Sequence, residues 1–210
     1  MSVIHEFYTL SNGVRMPKLG LGTYQLKAGD EAYNSVLNAL QLGIRHIDSG
    51  IIYQNEQSVG QAIRDSGISR GDIFITSKVP PHIKTYEGTI RMFEKSLQNL
   101  GVEYIDLYII NAPTPMNDLM GNYDAGNIEV YKALEYLYKE ERVAAIGVSQ
   151  FQIKDIENIL KHHSIVPHAQ QISFFVGHTQ DELVEYCRKH HIQIQAFSPL
   201  AKGYERIIRS

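Results

Sequence analysis

Residues 44–79 read IRHIDSGIIYQNEQSVGQAIRDSGISRGDIFITSKV, and the order of apolar and polar residues in this stretch decides the fold. Two compact apolar runs, 44–49 and 73–79, flank a stretch, 56–66, in which apolar residues recur three and four positions apart. The runs have the length of buried strands, and the stretch between them has the period of an amphipathic helix. Because strands joined by a crossover helix run parallel, this segment predicts a strand–helix–strand unit of a parallel sheet.

The same alternation continues through the chain in both directions, with a repeat of about 25 to 35 residues. Seven apolar segments are predicted as strands: residues 18–24, 44–49, 73–79, 105–111, 144–149, 169–174 and 192–198. Six amphipathic segments are predicted as helices: residues 30–42, 56–66, 86–100, 127–141, 154–162 and 179–190. The pattern predicts a parallel sheet covered by helices, either an open doubly wound sheet or a closed (β/α) barrel.

The turn after the first strand bears on that choice. An open dinucleotide-binding sheet carries Gly-x-Gly-x-x-Gly at this place, whereas residues 20–25 read GLGTYQ. The missing third glycine speaks against the dinucleotide fold, although periodicity alone does not decide. Residues 7–17, with Asn-Gly between two apolar runs, predict a hairpin suited to plug the lower end of a barrel, and residues 112–126 predict a long loop.

The composition bounds the class of protein. The chain has 210 residues, 43% of them hydrophobic, and is expected to form a single domain over residues 1–210. The net charge of −3, with Lys and Arg scattered among acids, argues against nucleic-acid partners. We see no leader and no apolar segment of about 20 residues, so we expect no membrane partner and a cytoplasmic location.

Cysteine and histidine usage argues against two further kinds of site. Cys187, the only cysteine, excludes an internal disulfide framework and fits the buried side of a helix, which favours a core role over a reactive thiol. The nine histidines lack the i, i+4 spacing of metal ligands, and we predict that they are surface residues. No metal site is therefore expected.

Three residues suited to proton transfer lie at or just beyond the ends of predicted strands: Asp48, Tyr53 and Lys78. In a barrel these strand ends converge on one face, where active sites lie. Reduction of a carbonyl by hydride also requires a proton, and Tyr53 becomes a better acid beside a cation such as Lys78, which Asp48 holds charged. Taken singly, each residue has a structural alternative: a helix cap for Asp48, surface packing for Tyr53 and a solvated strand end for Lys78.

Six segments of the chain resemble the successive motifs of the aldo-keto reductase family, in the same order and spacing. They are LGLGTY at 19–24, HIDSGIIYQNE at 46–56, TSKV at 76–79, DLY at 106–108, GVS at 147–149 and SPL at 198–200. The resemblance implies a (β/α)8 barrel and NADPH-dependent reduction of a small-molecule carbonyl substrate, an aldehyde or ketone. It also implies a catalytic tetrad of Asp, Tyr, Lys and His.

One member of this tetrad is replaced. Asp48, Tyr53 and Lys78 match three members, whereas the fourth, usually a His before Trp-Pro, is Asn111 before Ala-Pro. The family histidine helps to hold the substrate oxygen near the tyrosine. Because an asparagine amide donates a hydrogen bond but does not relay a proton, we expect weakened or altered chemistry.

The resemblance also implies which residues contact NADP(H). Ser149 and Gln171 are expected to hold the nicotinamide carboxamide, with Gln150 in place of the usual Asn, and Phe197 to stack on the nicotinamide. The implied set is completed by Gly22, Thr23, Tyr24, Asp48, Ser198 and Leu200. The alternative is that Ser149 caps the helix starting near Gln152 and that Phe197 belongs to the core. The sixth strand departs from the family pattern, reading QQISFFV at 170–176.

Seven predicted strands fall short of the eight in a closed barrel of about 250 residues. We therefore expect an incomplete (β/α)8 TIM-barrel-type fold with an N-terminal hairpin, lacking the eighth strand, the last helices and the family's basic phosphate-binding motif. Residues 204–209 offer a short strand or helix to cover part of the gap. An exposed barrel edge favours self-association.

These features leave three functions open. The first is an NADPH-dependent reductase of aldehydes or ketones in which Tyr53 delivers the proton. The alternative is a catalytically impaired or silent relative, or a fragment, that acts as a binding or regulatory protein, as Asn111 and the missing strand suggest. A third is reduction of an activated double bond, since replacement of the family histidine favours another substrate geometry.

Overall fold

The computed structural model describes residues 3–201. Its main sheet contains seven parallel strands: β3 (Leu21–Gly22), β4 (His46–Asp48), β5 (Phe74–Val79), β6 (Ile105–Ile110), β7 (Val143–Ser149), β8 (Ala169–Ser173) and β9 (Gln193–Phe197). An antiparallel pair precedes it, formed by β1 (Phe7–Thr9) and β2 (Arg15–Pro17). The described helices are α1 (Asp30–Gln41), α2 (Glu56–Asp65), α3 (Tyr86–Leu100), α4 (Asp124–Lys139), α5 (Ile153–His162) and α6 (Asp181–Lys189).

The strands of the main sheet pair in chain order, from β3 to β9. A doubly wound sheet reverses its strand order at a switch point, so the open-sheet alternative is wrong. Sequential parallel pairing with a helix after each strand from β3 to β8 forms a nearly closed barrel that matches an incomplete (β/α)8 fold. The predicted seven strands, six helices and N-terminal hairpin are confirmed.

Two elements differ most from their predicted bounds. The first barrel strand, β3, has two residues instead of the seven predicted over 18–24, because it lies at an edge and pairs only with β4. Helix α4 begins at Asp124 instead of residue 127. The side chain of Asn122 accepts a hydrogen bond from the Asp124 amide at 2.9 Å, and an acidic residue in the first turn suits the helix dipole. The turn-rich loop is therefore shorter than predicted.

The core has two layers, because successive residues of a strand face opposite sides of the sheet. The larger layer fills the space between the strands and the helices. The smaller layer lies inside the barrel, where Leu10 and Met16 of the hairpin segment pack against side chains such as Phe74 and Leu107. The hairpin thus plugs the lower end of the barrel, as predicted. It does not fill the opposite, upper end, where polar side chains lie.

Within residues 3–201, the main sheet has two edges, at β3 and β9. Residues of β8, which has two neighbours, are mostly buried, whereas those of β9 are half-buried or exposed. Self-association through this edge stays a prediction. The segment expected to cover part of the gap, 204–209, lies outside the described residues.

The prediction that all histidines are surface residues is wrong for His46 and His168. Both are buried: His46 lies on β4, and His168 directly precedes β8. His46 Nε2 lies 2.9 Å from Thr76 Oγ1, and burial lowers its pKa to about 4. His168 Nδ1 accepts a hydrogen bond from the Ile146 amide at 3.0 Å, and burial lowers its pKa to about 4 as well. Both rings therefore act as neutral core groups at neutral pH.

Cys187 is buried in α6, as predicted. Burial raises the pKa of its thiol to about 11, so the reactive thiolate is disfavoured. Within residues 3–201, no helix is both long and apolar enough to cross a membrane. The same described part of the chain holds no cluster of His, Cys, Asp or Glu side chains that could bind a metal ion.

Candidate active site

The centre of the site is an ion pair between two neighbouring strands. Lys78 on β5 contacts Asp48 Oδ1 on β4 through its ammonium group, which also donates to the Ser49 carbonyl at 2.8 Å. The Lys78 side chain is 1% exposed and that of Asp48 14% exposed. A lysine so deeply buried is retained only with partners of opposite charge or polarity. The solvated alternative for Lys78 and the helix-cap alternative for Asp48 are therefore wrong.

The charge of Lys78 is stabilised within the fold. Burial acts to lower the pKa of Lys78, but the carboxylate of Asp48 and the phenol of Tyr53 outweigh it, so the pKa is raised above its usual value. Lys78 therefore remains a cation at neutral pH. The site contains a fixed positive charge at the upper end of the barrel.

Tyr53 ends a 3-10 turn, Ile51–Tyr53, that is separated from β4 by two residues. The Lys78 ammonium lies 5.0 Å from the centre of its ring. Burial raises the pKa of Tyr53; Lys78 lowers it and Asp48 raises it, and the result lies above the usual value. The expectation that Lys78 makes Tyr53 a better acid in the free protein is thus wrong, because desolvation of the phenolate outweighs the nearby cation.

Two glutamine amides approach the second carboxylate oxygen of Asp48. Gln171 Nε2 donates to Asp48 Oδ2 at 2.6 Å, and Gln195 Nε2 lies 3.5 Å from the same oxygen. The oxygen Oε1 of Gln195 is buried and has no hydrogen-bond partner among the described residues. The sequence interpretation missed Gln195, although its position two residues before Phe197 places both on the same face of β9.

The residues at the end of β3 divide into buried and open positions. Thr23 is fully buried, and its hydroxyl donates to Ser49 Oγ at 3.1 Å. Asn55, also fully buried, donates to the Thr23 carbonyl at 2.8 Å. A methyl group added at Gly22 would meet open space, and Tyr24 is 52% exposed with its ring 5.2 Å from that of Tyr53. The predicted cofactor residues Gly22 and Tyr24 thus border the open end of the site.

Asn111, in place of the family histidine, directly follows β6 and is half-buried. Its backbone N–H donates to the Val79 carbonyl at 3.1 Å, and its backbone carbonyl accepts from Gln150 Nε2 at 3.1 Å. The structure therefore fixes its backbone on both sides, between the strand of Lys78 and the strand of Ser149. This leaves the Asn111 side chain at the same end of the barrel as Lys78.

The loop after Asn111 is anchored by Lys84, which the sequence interpretation missed. Its ammonium donates to the carbonyls of Ala112 at 3.2 Å and Pro113 at 2.9 Å, and to Asn127 Oδ1 at 2.7 Å. Burial lowers the pKa of Lys84 to about 8, while Asp155 acts in the opposite direction. Only contacts made by the fold identify this lysine, since the sequence around it has no distinguishing pattern.

The predicted carboxamide residues lie side by side. Ser149 and Gln171 are register partners across β7 and β8, and both are buried. The helix-cap alternative for Ser149 is wrong, because Gln152 and Asp155 form the capping box of α5. Gln150 is exposed and has a left-handed backbone with a φ of 60°.

The end of β9 carries the remaining predicted cofactor residues. Phe197 is its last residue and is half-buried, which is intermediate between the stacking and core interpretations. Ser198 is half-buried and Leu200 is 78% exposed. These side chains form the outer rim of the site beside the open edge.

A second buried group supports the turn that carries Tyr53. Glu56, three residues after Tyr53, starts α2 and is buried. Its carboxylate accepts hydrogen bonds from Ser77 at 2.8 Å and from Asn99 at 3.1 Å. Burial raises the pKa of Glu56, and the hydrogen bonds oppose that shift. Glu56 thus ties the turn of Tyr53 to the strand of Lys78 and to α3.

Comparison with known proteins places this geometry in a family. The profile described as "Aldo/keto reductase family" matches residues 18–206. The chain is 46% identical over 199 residues to the "Uncharacterized oxidoreductase YtbE" of Bacillus subtilis, covering 93% of this chain and 68% of the relative. It is 43% identical over 194 residues to the "Glyoxal reductase" of Bacillus subtilis, covering 92% of this chain and 67% of the relative.

Solved structures agree in both fold and sequence. An aldo/keto reductase from Brucella melitensis superposes with a TM-score of 0.85 at 41% identity, covering 93% of this chain and 73% of the other. The Bombyx mori aldo-keto reductase AKR2E4, solved in complex with NADP, gives a TM-score of 0.84 at 29% identity, covering 92% and 66%. The barrel, the motif order and these similarities together show that the chain belongs to the aldo/keto reductase family.

Proposed function

We propose that the chain is an NADP(H)-dependent oxidoreductase that reduces a small aldehyde or ketone at the site formed by Asp48, Tyr53, Lys78 and Asn111. The observation that carries the proposal is the buried Lys78 cation, held between the carboxylate of Asp48 and the ring of Tyr53. A buried charge aimed at a tyrosine is costly for stability and suits a site that handles developing negative charge.

The residues at this end of the barrel fit the nicotinamide half of the cofactor. A carboxamide offers both donors and an acceptor, and it would be held by the amide of Gln171 and the hydroxyl of Ser149. Beside Gln171, the buried Oε1 of Gln195 has no hydrogen-bond partner among the described residues, so this wall can accept a further hydrogen bond. Phe197 provides an aromatic face at the rim, and Gly22 leaves the opposite side open. When bound, the nicotinamide supplies hydride to the carbonyl carbon.

The protein's own residues manage the proton. Because its pKa is raised, Tyr53 carries its proton at neutral pH and donates it to the carbonyl oxygen as that oxygen becomes negative. Lys78 then stabilises the phenolate electrostatically, and Asp48 keeps the lysine charged and aimed. The Asn111 amide donates a hydrogen bond to the substrate oxygen but carries no proton, so the turnover number is expected to be lower than with histidine.

The test is calorimetric titration of the purified chain with NADPH, followed by loss of NADPH absorbance on addition of glyoxal. Glyoxal is chosen because a relative at 43% identity is named glyoxal reductase. We expect binding and turnover, and we expect Tyr53→Phe to abolish turnover while it preserves NADPH affinity. Tyr136→Phe, on the outer side of α4, is the matched control and should leave both unchanged.

The replacement of the family histidine by Asn111 favours a second candidate, a catalytically silent relative that binds the cofactor. That function predicts NADPH binding without turnover on glyoxal or on a panel of simple aldehydes, ketones and activated double bonds. Turnover on an activated double bond alone would assign the third chemistry. Absence of NADPH binding in a folded sample would refute all three.

A further inference from the structure

Asp48 Oδ2 is approached by two side-chain amides, of which only one makes a short hydrogen bond. Gln171 Nε2 donates at 2.6 Å, whereas Gln195 Nε2 lies at 3.5 Å, the limit of a hydrogen bond. The two glutamines are direct register partners on β8 and β9. Both side chains therefore enter the barrel at the same height and reach the same oxygen.

The other carboxylate oxygen of Asp48 is already committed. Lys78 contacts Oδ1, and the Asp48 side chain is largely buried, so solvent offers Oδ2 little replacement for a lost donor. Leaving a charged, buried acceptor without a partner is costly. Any event that draws the Gln171 amide away from Asp48 thus requires another donor at Oδ2.

The proposed function includes such an event, since Gln171 is assigned to the nicotinamide carboxamide. Gln195 is poised to compensate, because its amide nitrogen already faces Oδ2 and needs to approach by only a few tenths of an ångström. Its Oε1 has no partner among the described residues, so no acceptor contact holds the amide in its present orientation. Among the described residues, β9 has one neighbouring strand, β8, which eases the adjustment.

We propose that Gln195 is a positioning residue that takes over Asp48 Oδ2 when Gln171 turns to the nicotinamide carboxamide. The exchange keeps Asp48 hydrogen-bonded and therefore keeps Lys78 aimed at Tyr53 in the loaded protein. This inference rests on the proposed function. Gln195 then contributes to cofactor binding without touching the cofactor.

The test is a double-mutant cycle on NADP+ affinity, measured by calorimetry with the oxidised cofactor alone. The variants are Gln195→Leu, Gln171→Leu and the double variant. With Gln171 present, Gln195→Leu is expected to weaken NADP+ binding about tenfold, the effect of one lost hydrogen bond to a charged group. With Gln171 already replaced, Gln195 holds Asp48 with or without cofactor, and its replacement is expected to cause no further loss.

Gln193→Leu is the matched control. Gln193 lies on the same strand two residues earlier, and its side chain donates to the Ile194 carbonyl instead of Asp48. The NADP+ affinity of the Gln193→Leu variant should equal that of the wild type. Thermal unfolding of each variant checks the fold, and Gln195→Met, which keeps a similar size without a donor or a charge, replaces the leucine variant in the cycle where that variant does not fold.

The outcomes separate this inference from the function on which it rests. The exchange is overturned if Gln195→Leu does not weaken NADP+ binding, or if the losses of affinity in the two single variants multiply in the double variant. In both cases, NADP+ binding by the wild type still supports the cofactor assignment. Failure of the folded wild type to bind NADP+ overturns the proposed function and the exchange together. A structure of the NADP+ complex in which Gln171 still donates to Asp48 also overturns the exchange.

Discussion

The two sides of this barrel hold their polar side chains by different means. On β4 and β5 the site depends on a buried ion pair, with Lys78 1% exposed against Asp48. On β9, at the sheet edge, the polar group is a neutral amide, Gln195, at 3.5 Å from its acceptor and half-buried. Buried charges tolerate little displacement, whereas neutral amides at an edge can change partners. The β4–β5 side is therefore expected to set the chemistry, and the β9 side to adjust to what binds.

The largest effect is expected from Lys78→Met, which breaks the ion pair on the β4–β5 side. An uncompensated carboxylate then remains in a nearly closed site, at a cost of about 3 kcal/mol in the free energy of unfolding. Carbonyl reduction should also be lost. Urea unfolding measures the first effect and NADPH consumption the second.

The control for that prediction removes both charges. The double variant Lys78→Met with Asp48→Asn leaves no unpaired charge, so it should recover most of the lost stability without recovering turnover. Equal instability of the single and double variants would show that packing, and not charge, dominates this side of the barrel.

A smaller effect is expected at Glu56, which ties the turn of Tyr53 to the strand of Lys78. Glu56→Ala leaves Ser77 and Asn99 without their acceptor and should lower the free energy of unfolding by about 2 kcal/mol. Glu56→Gln retains size and polarity and is the matched control, with little change expected. The measurement is urea unfolding at neutral pH, and a loss in the glutamine variant as large as in the alanine variant would contradict the hydrogen-bond account.

The next prediction concerns pH. The pKa of Lys84 is lowered to about 8 in the folded protein, while its unfolded value stays near 10.5. Between these values the unfolded chain binds more protons than the folded one, so the stability contribution of Lys84 should rise as the pH increases from about 8 to about 10.5. Below pH 8 the buried cation is at its most costly.

Comparison with Lys84→Met isolates this contribution. The difference in the free energy of unfolding between the wild type and the variant should shift in favour of the wild type across that pH range. A constant difference, or one that shifts towards the variant, would refute the depressed pKa. The loop after Asn111 is the segment whose anchoring this titration reports.

The sequence predicted the order of strands and helices, and the face on which the strand ends meet, for a physical reason. Apolar runs and amphipathic stretches carry their period in the chain itself, and residues that follow parallel strands converge on one face. Asp48, Tyr53 and Lys78 were therefore found together, and the family resemblance added Ser149 and Gln171.

What the sequence did not predict depends on which groups surround a side chain. Gln195, Glu56 and Lys84 acquire their roles from partners far away in the chain, and polar residue types alone do not reveal them. The sign of the Tyr53 pKa shift was also missed, because it depends on the balance between burial and the charge of Lys78. Likewise, His46 is buried because its strand position faces inward.

The smallest effect is expected at the rim of the β9 side. Leu200 is 78% exposed, so Leu200→Ala should change the free energy of unfolding by no more than about 0.5 kcal/mol. If the rim closes on the cofactor as the family resemblance implies, the lost apolar contact should still weaken NADP+ binding about fivefold. Leu42→Ala, 75% exposed at the C-terminal end of α1, is the matched control and should change neither quantity. Because stability and affinity separate at Leu200, whereas stability and turnover fall together at Lys78, this pair of measurements decides whether the β9 side serves binding and the β4–β5 side serves both stability and chemistry. If Leu200→Ala leaves the NADP+ affinity unchanged, the rim lies outside the cofactor site, and the part of the β9 side that adjusts to the cofactor is confined to Gln195 and its partner Gln171.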